Sequence, residues 1–118
     1  MNPVTIASTI QEFMSFIELL DDAYWEASTV ESKDQLYDII SIFTHEMSEL
    51  NKLSIQDHHY PYEIITEGIR RVVPKIERLD DKKEEIIQRT KTLIDIKEVM
   101  SNVIAILESQ NGRVSDFK

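Results

Sequence analysis

Residues 80–110 read DDKKEEIIQRTKTLIDIKEVMSNVIAILESQ, a run with neither Gly nor Pro. Ile86, Leu93, Met100 and Leu107 recur at heptad spacing with Ile104 beside them, and Ile96, Val99, Val103 and Ile106 form a second apolar row. On a helix turning about 100° per residue the two rows cover an arc of roughly 160°. The run predicts a long C-terminal helix. It opens on the acids Asp80 and Asp81, favourable at a helix N-terminus, and stops at the C-cap pair Asn111-Gly112. So wide an arc suits the central helix of a bundle, or a helix that shares its second row with another chain. Ile96, Val99, Val103 and Ile106 are therefore candidate self-association residues for a homodimer.

Upstream, the periodicity predicts three more helices. The first starts after Asn2 or Thr5 and runs to about Ala27, with Ile6, Ile10, Phe13, Met14, Ile17, Leu20 and Tyr24 as its stripe and Glu12, Glu18, Asp22 and Glu26 on the opposite arc. The second opens on a capping box, Ser32 with Gln35, and buries Leu36, Ile39, Ile40, Phe43, Met47 and Leu50. Glu46 disturbs that stripe, since its direction falls at the edge of the apolar face, where a base such as Arg89 or Lys97 would pair with it. After a loop at Ser54–Tyr60, Pro61 suits the first turn of a third helix carrying Ile65, Ile69, Val72, Val73, Ile76 and Leu79. Pro74 lies inside this stretch and predicts a kink, because it removes a backbone donor and crowds the preceding turn. The expected fold is an all-α antiparallel four-helix bundle, one domain over 1–118, with 113–118 a flexible tail.

Composition narrows the function. With no Cys there is neither a disulfide framework nor a thiolate metal site, and two Gly leave little material for a many-stranded fold. Met1-Asn2-Pro3-Val4-Thr5 lacks a positive signal-peptide start, and no apolar run is long enough to span a bilayer, so a cytoplasmic location is expected. Charge is divided unevenly. Residues 1–67 hold 13 acids and only Lys33 and Lys52 as bases, net −11, whereas residues 68–118 hold 11 bases and 9 acids, net +2. Such a chain repels nucleic acid and anionic membrane and favours a basic partner.

Asp57-His58-His59-Tyr60-Pro61-Tyr62-Glu63 is the most distinctive local composition. Adjacent histidines do not readily aim at one metal, whereas Tyr offers contact area with a polar handle. Asp57, His58, His59, Tyr60, Tyr62 and Glu63 are therefore candidate partner-binding residues. No Gly-x-Ser-x-Gly elbow or glycine-rich phosphate loop is present, and no cofactor or resident metal is expected. His45-Glu46 resembles the start of the zincin His-Glu-x-x-His motif, but position 49 is Glu.

The stretch Thr44–Leu53 resembles the Glu-x-x-Glu-Leu segment of MazG-like all-α nucleotide pyrophosphohydrolases. The resemblance implies Mg²⁺ held by Glu46 and Glu49 together with a Glu-x-x-Asp pair on the next helix. Here that pair would be Glu63 and Glu67, spaced i and i+4, which departs from the family's pattern. The expected function is a small acidic, non-enzymatic protein-interaction module: an adaptor, chaperone-like factor, inhibitor or immunity-type protein. The alternatives are the Mg²⁺-dependent pyrophosphohydrolase and a structural subunit of a larger assembly.

Overall fold

A computed structural model describes residues 4–116, with the backbone alone for residue 90 and residues 110–116. Helix α1 (Ile6–Glu26) is capped by Thr5, whose hydroxyl accepts from the Ser8 amide at 3.1 Å while the Ser8 hydroxyl accepts from the Thr5 amide at 3.1 Å. Helix α2 (Val30–Asn51) is capped by Thr29, three residues before the expected Ser32 cap. Thr29 is extended and its hydroxyl accepts from the Ser32 amide. From the start of the helix, the Lys33 ammonium donates to the Tyr24 carbonyl at 2.7 Å and ties the start of α2 to the end of α1.

The expected third helix is not one helix. Ile55–His59 is a short 3₁₀ turn, residues 60–66 are extended, and α3 (Glu67–Arg70) is a single turn under a Thr66 cap. Pro74 does not kink a helix. It occupies the first turn of α4 (Val73–Asp81), where no intrahelical amide donor is needed. The fourth expected helix is also divided, into α5 (Lys83–Ile86) and α6 (Thr90–Asp116). Ile87 is extended at the break, and Ile86 and Ile87 are both buried, although a continuous helix would direct them about 100° apart. The backbone of α6 continues beyond the expected stop at Asn111-Gly112, to Asp116; residues 117 and 118 lie outside the described residues.

The fold is all-α. Among the described residues there is no strand, and Thr5 and Pro61 make an isolated antiparallel bridge. Central in the packing is α1 rather than the C-terminal helix, with α2 on one side and α6 on the other. Its buried stripe is Ile6, Thr9, Phe13, Phe16, Leu20 and Ala23, so Phe16 takes the inward place expected of Met14, which is exposed. Phe43 of α2 meets Phe13 and Phe16 edge to face, with centroids 4.9 and 5.1 Å apart, and Tyr62 meets Phe13 in the same manner at 5.6 Å. Each such pair contributes about 0.5–1.5 kcal/mol beyond its buried area. No helix among the described residues is long and apolar enough to cross a membrane.

Candidate functional site

Glu46 projects from α2 into the core and is fully buried. Its carboxylate accepts three hydrogen bonds: from the Tyr62 hydroxyl at 2.7 Å, from the Ile65 amide at 2.9 Å and from the Thr66 amide at 2.9 Å. All three donors lie on the extended segment 60–66, so one side chain clasps a strap of chain that makes no ladder with a strand. The strap's other end is held by α1's leading residues, with the Ile6 amide donating to the Tyr60 carbonyl at 2.9 Å and the Tyr62 amide to the Val4 carbonyl at 2.8 Å. Arg89 and Lys97, the bases expected to pair with Glu46, are exposed and do not reach it. Burial, then the neighbouring Glu46 charge and the hydrogen bond to it, hold the Tyr62 phenol far above its ordinary range, against a smaller opposing pull from Arg70. Tyr62 therefore keeps its proton and stays a donor.

The clasp separates Glu46 from the other carboxylates of the implied Mg²⁺ set. Glu49 turns to the surface and pairs with Lys52 at 2.7 Å, a contact that holds its carboxyl below the usual range through the hydrogen bond and then the charge. Glu63 is exposed, and Glu67, also exposed, meets Arg71 at 3.7 Å. Among the described residues no three His, Asp or Glu side chains converge as a metal-holding group.

The expected partner-binding loop is split by the same clasp. Asp57, His59, Tyr60 and Glu63 are exposed and His58 is half-buried, with the His59 and Tyr60 rings 4.3 Å apart. Tyr62 is only 1% exposed and points into the core, so no partner can touch it on this surface. The expected self-association row divides likewise. Ile96 and Val103 are buried within a single chain, while Val99 and Ile106 are half-buried against the same core.

A further feature lies between α1 and α6, where two open clefts of about 430 Å³ each adjoin at Leu19 and Asp95. Glu12, Glu18, Asp22 and Glu26 line them from α1, Asp95 and Glu98 from α6, and Leu19 and Val99 supply apolar surface. These α1 acids thus flank a groove, not the arc opposite the core. Asn102 donates to Glu12 at 3.0 Å and Thr92 to Glu26 Oε2 at 3.0 Å, while Glu26 Oε1 is shielded from solvent without a hydrogen-bond partner. Trp25 stands at one end, 73% exposed, its ring edge-to-face with Tyr24 at 5.3 Å. No known family, characterised protein or solved structure matches the chain.

The functional reading therefore rests on the chain's own chemistry. The groove was missed in the sequence because α1's acids read as a solvated face when α6's position beside them is unknown. Glu18, Asp22 and Glu26 at successive i, i+4 spacing, with no base among them, were the available signal.

Proposed function

We propose that this chain is a small acidic protein-interaction module that binds a basic protein partner in the cytoplasm. One observation carries the reading. Of the 13 acids before Gly68, Asp38, Glu49 and Glu67 are ion-paired and Glu46 is buried; the other nine have no Lys or Arg ion-pair partner among the described residues, and all of them but the half-buried Glu12 and Glu26 are exposed. Negative potential on this scale is available to a partner and raises the rate and selectivity of encounter with a basic surface. The exposed part of the loop, Asp57, His59, Tyr60 and Glu63, adds polar and aromatic contact area on the same half of the chain, with His58 half-buried among them.

A twofold homodimer through α6 is a poorer reading. Two of its four expected contacts are already core, and Val99 sits among Glu12, Glu18 and Glu98, which a second copy would meet with like charge. The test is affinity capture from the host cell followed by stepwise elution with salt. A basic protein recovered in stoichiometric amount and released as ionic strength rises supports the reading. Recovery of an acidic partner, or of one that resists salt, refutes it.

A further inference from the structure

From the flank of the α1–α2 hairpin that the other described helices leave bare we infer a docking site for an amphipathic helix of the partner, apolar along one side and edged with Lys and Arg. The assignment rests on the reading above and deepens it. Helix α6 lies along α1 at Glu12, Ser15 and Leu19. The far side of α2 is taken by α3 and α4, where Gly68 faces Ile42 and Lys75 meets Asp38 at 2.6 Å. The remaining flank carries one row from each helix. Met14, Ile17, Asp21 and Tyr24 form the row on α1, and Val30, Lys33, Tyr37 and Ile40 repeat the same spacing on α2. Such spacing keeps each row within an arc of about 80°. The rings of Tyr24 and Tyr37 lie 6.4 Å apart, so the two rows adjoin.

Three properties set this flank apart from a solvated face. The first is apolar exposure: Trp25 and Val30 are each 73% exposed and Tyr37 61%, with Met14 exposed beyond them. At about 150–250 Å² for a whole aromatic side chain, the Trp25 and Tyr37 rings alone present on the order of 200–300 Å². Val30 and Met14 bring the patch into the range of a functional one, and Trp and Tyr are the side chains that anchor interfaces. The second is preorganisation. The Lys33 ammonium, bound to the Tyr24 carbonyl, stands 4.6 Å from the centre of the Tyr24 ring and 5.8 Å from that of Trp25, and Trp25 meets Tyr24 edge to face at 5.3 Å. Rings held in this way lose little freedom when a partner covers them. The third is the border. Glu18 and Asp21 edge the flank on α1 and Asp34 on α2, all exposed and none of them in an ion pair among the described residues.

Charge complementarity selects the occupant. A flank apolar along its middle and acidic at its borders matches a helix with aliphatic anchors at i, i+3 or i+4, and i+7 and with cations beside them. From Met14 to Trp25 the face is about 17 Å long at 1.5 Å per residue, three turns of a docked helix. A second copy fits less well. It would set Glu18, Asp21 and Asp34 against like charge, and the apolar patch falls short of the roughly 800 Å² that each partner gives to a standard interface.

Trp25 is the chain's one tryptophan, so its emission reports on this flank directly. The probe is a tryptophan-free helical peptide with Leu along one side and Lys along its borders. A scrambled peptide keeps its composition and charge but gathers no Leu on one face, and an acidic peptide carries Glu in place of Lys. Titrated into the full chain at low ionic strength, the amphipathic peptide is expected to bind saturably and move the Trp25 emission to the blue. The scrambled peptide is expected to bind about tenfold more weakly and leave the emission in place. Tyr37→Ser should weaken the amphipathic peptide by about tenfold, whereas Ile55→Ser, at an 84% exposed apolar residue outside the flank, should change it less than about twofold. An unmoved emission with the amphipathic peptide, or equal weakening by the two variants, overturns the docking face. If the amphipathic and scrambled peptides nevertheless bind equally and the acidic one does not, the acidic-module reading stands. An acidic peptide that binds as tightly as the basic one overturns both. Emission that moves to the blue as the free protein is concentrated makes a second copy the occupant and overturns the inference.

Discussion

Glu46→Ala removes the carboxylate that accepts three hydrogen bonds from residues 62–66. Three donors lose their partner: the Tyr62 hydroxyl and the Thr66 amide, which are buried, and the Ile65 amide, which is part-buried. A buried donor left unsatisfied costs about 1–3 kcal/mol. The sum is offset because a carboxylate no longer has to be stripped of water, a penalty of several kcal/mol in itself. The expected net loss is about 3–5 kcal/mol, the range seen when one side of a buried charged contact is deleted. Against a total stability of about 5–15 kcal/mol this is a large fraction, and it should appear as a lower urea midpoint by circular dichroism. Tyr62→Phe removes only the hydroxyl and keeps the ring on Phe13, so its own loss is smaller, about 1–2 kcal/mol. In a double-mutant cycle the two changes should couple by about 1 kcal/mol or more, since each deletes the same contact. Glu49→Ala is the control, an acid at the surface, half-buried and paired with the exposed Lys52, whose loss should move the midpoint far less than the loss of Glu46. A Glu46→Ala protein within about 1 kcal/mol of the parent, or a cycle with no coupling, would show that water replaces the carboxylate and that the clasp does not hold the strap.

Other consequences follow from single residues. Below the ordinary phenol value of about 10 both folded and unfolded chains keep the Tyr62 proton. Above it the unfolded chain releases the proton while the folded chain, with its phenol held up, does not, so stability falls as pH rises, by up to about 1.4 kcal/mol per unit. Urea midpoints between neutral and alkaline pH should fall more steeply for the parent than for Tyr62→Phe, and equal slopes would refute the assignment. Pro74→Ala should destabilise by about 0.4–1 kcal/mol through the looser unfolded chain, because Pro74 fits the first turn of α4; a gain in thermal midpoint would instead reveal a strained helix interior. Gly68→Ala should stabilise by about 0.5–1 kcal/mol. Gly68 lies in α3 without a positive φ, and the added methyl would meet Ile42 at an ordinary 3.4 Å, so a drop in midpoint would show crowding there.

What was legible in the chain divides along the kind of signal each element carries. α1 and α2 are long, periodic and capped, and the 3.6-residue period locates them to within a few residues. Glu46 was legible as an oddity, an acid at the edge of an apolar stripe, but a base was the expected partner. Backbone amides as donors leave no mark on a sequence. The strap itself was marked. Tyr62, Ile64 and Thr66 are buried while Glu63 and Ile65 are exposed, a period of two that the apolar count over 61–79 absorbed into a helix. Likewise the adjacent isoleucines 86 and 87 fit a heptad one at a time, and only an extended residue lets both face the core. Pro74 carried the right warning about a helix boundary, with the boundary on its N-terminal side. The groove was least legible, because it exists only between two helices whose neighbourhood no local pattern specifies.

The acids of α1 also set a stability against a function. Helix α1 has no base in its last turn and ends at Glu26, so Asp22 and Glu26 oppose the partial negative charge of the helix terminus as well as each other. On the α2 side of the molecule the chain balances its charge: Asp38 meets Lys75 at 2.6 Å and Glu49 meets Lys52. The α6 side contains no such pair among these acids, although one base at position 18 or 22 would supply it. If the groove serves a cationic partner, neutralising it must therefore act on stability and binding in opposite directions. Glu18→Gln with Asp22→Asn should raise stability by about 0.5–1 kcal/mol, from two relieved like-charge contacts and a better matched terminus, and should weaken binding of a fluorescently labelled arginine-rich peptide, read by anisotropy, by about tenfold. A packing role for these side chains predicts a different pair of results: lower stability, with binding unchanged at temperatures where the variant is folded. The combination separates a surface kept acidic for a partner from one that is acidic by accident of composition, and calorimetry with anisotropy on one variant reads both.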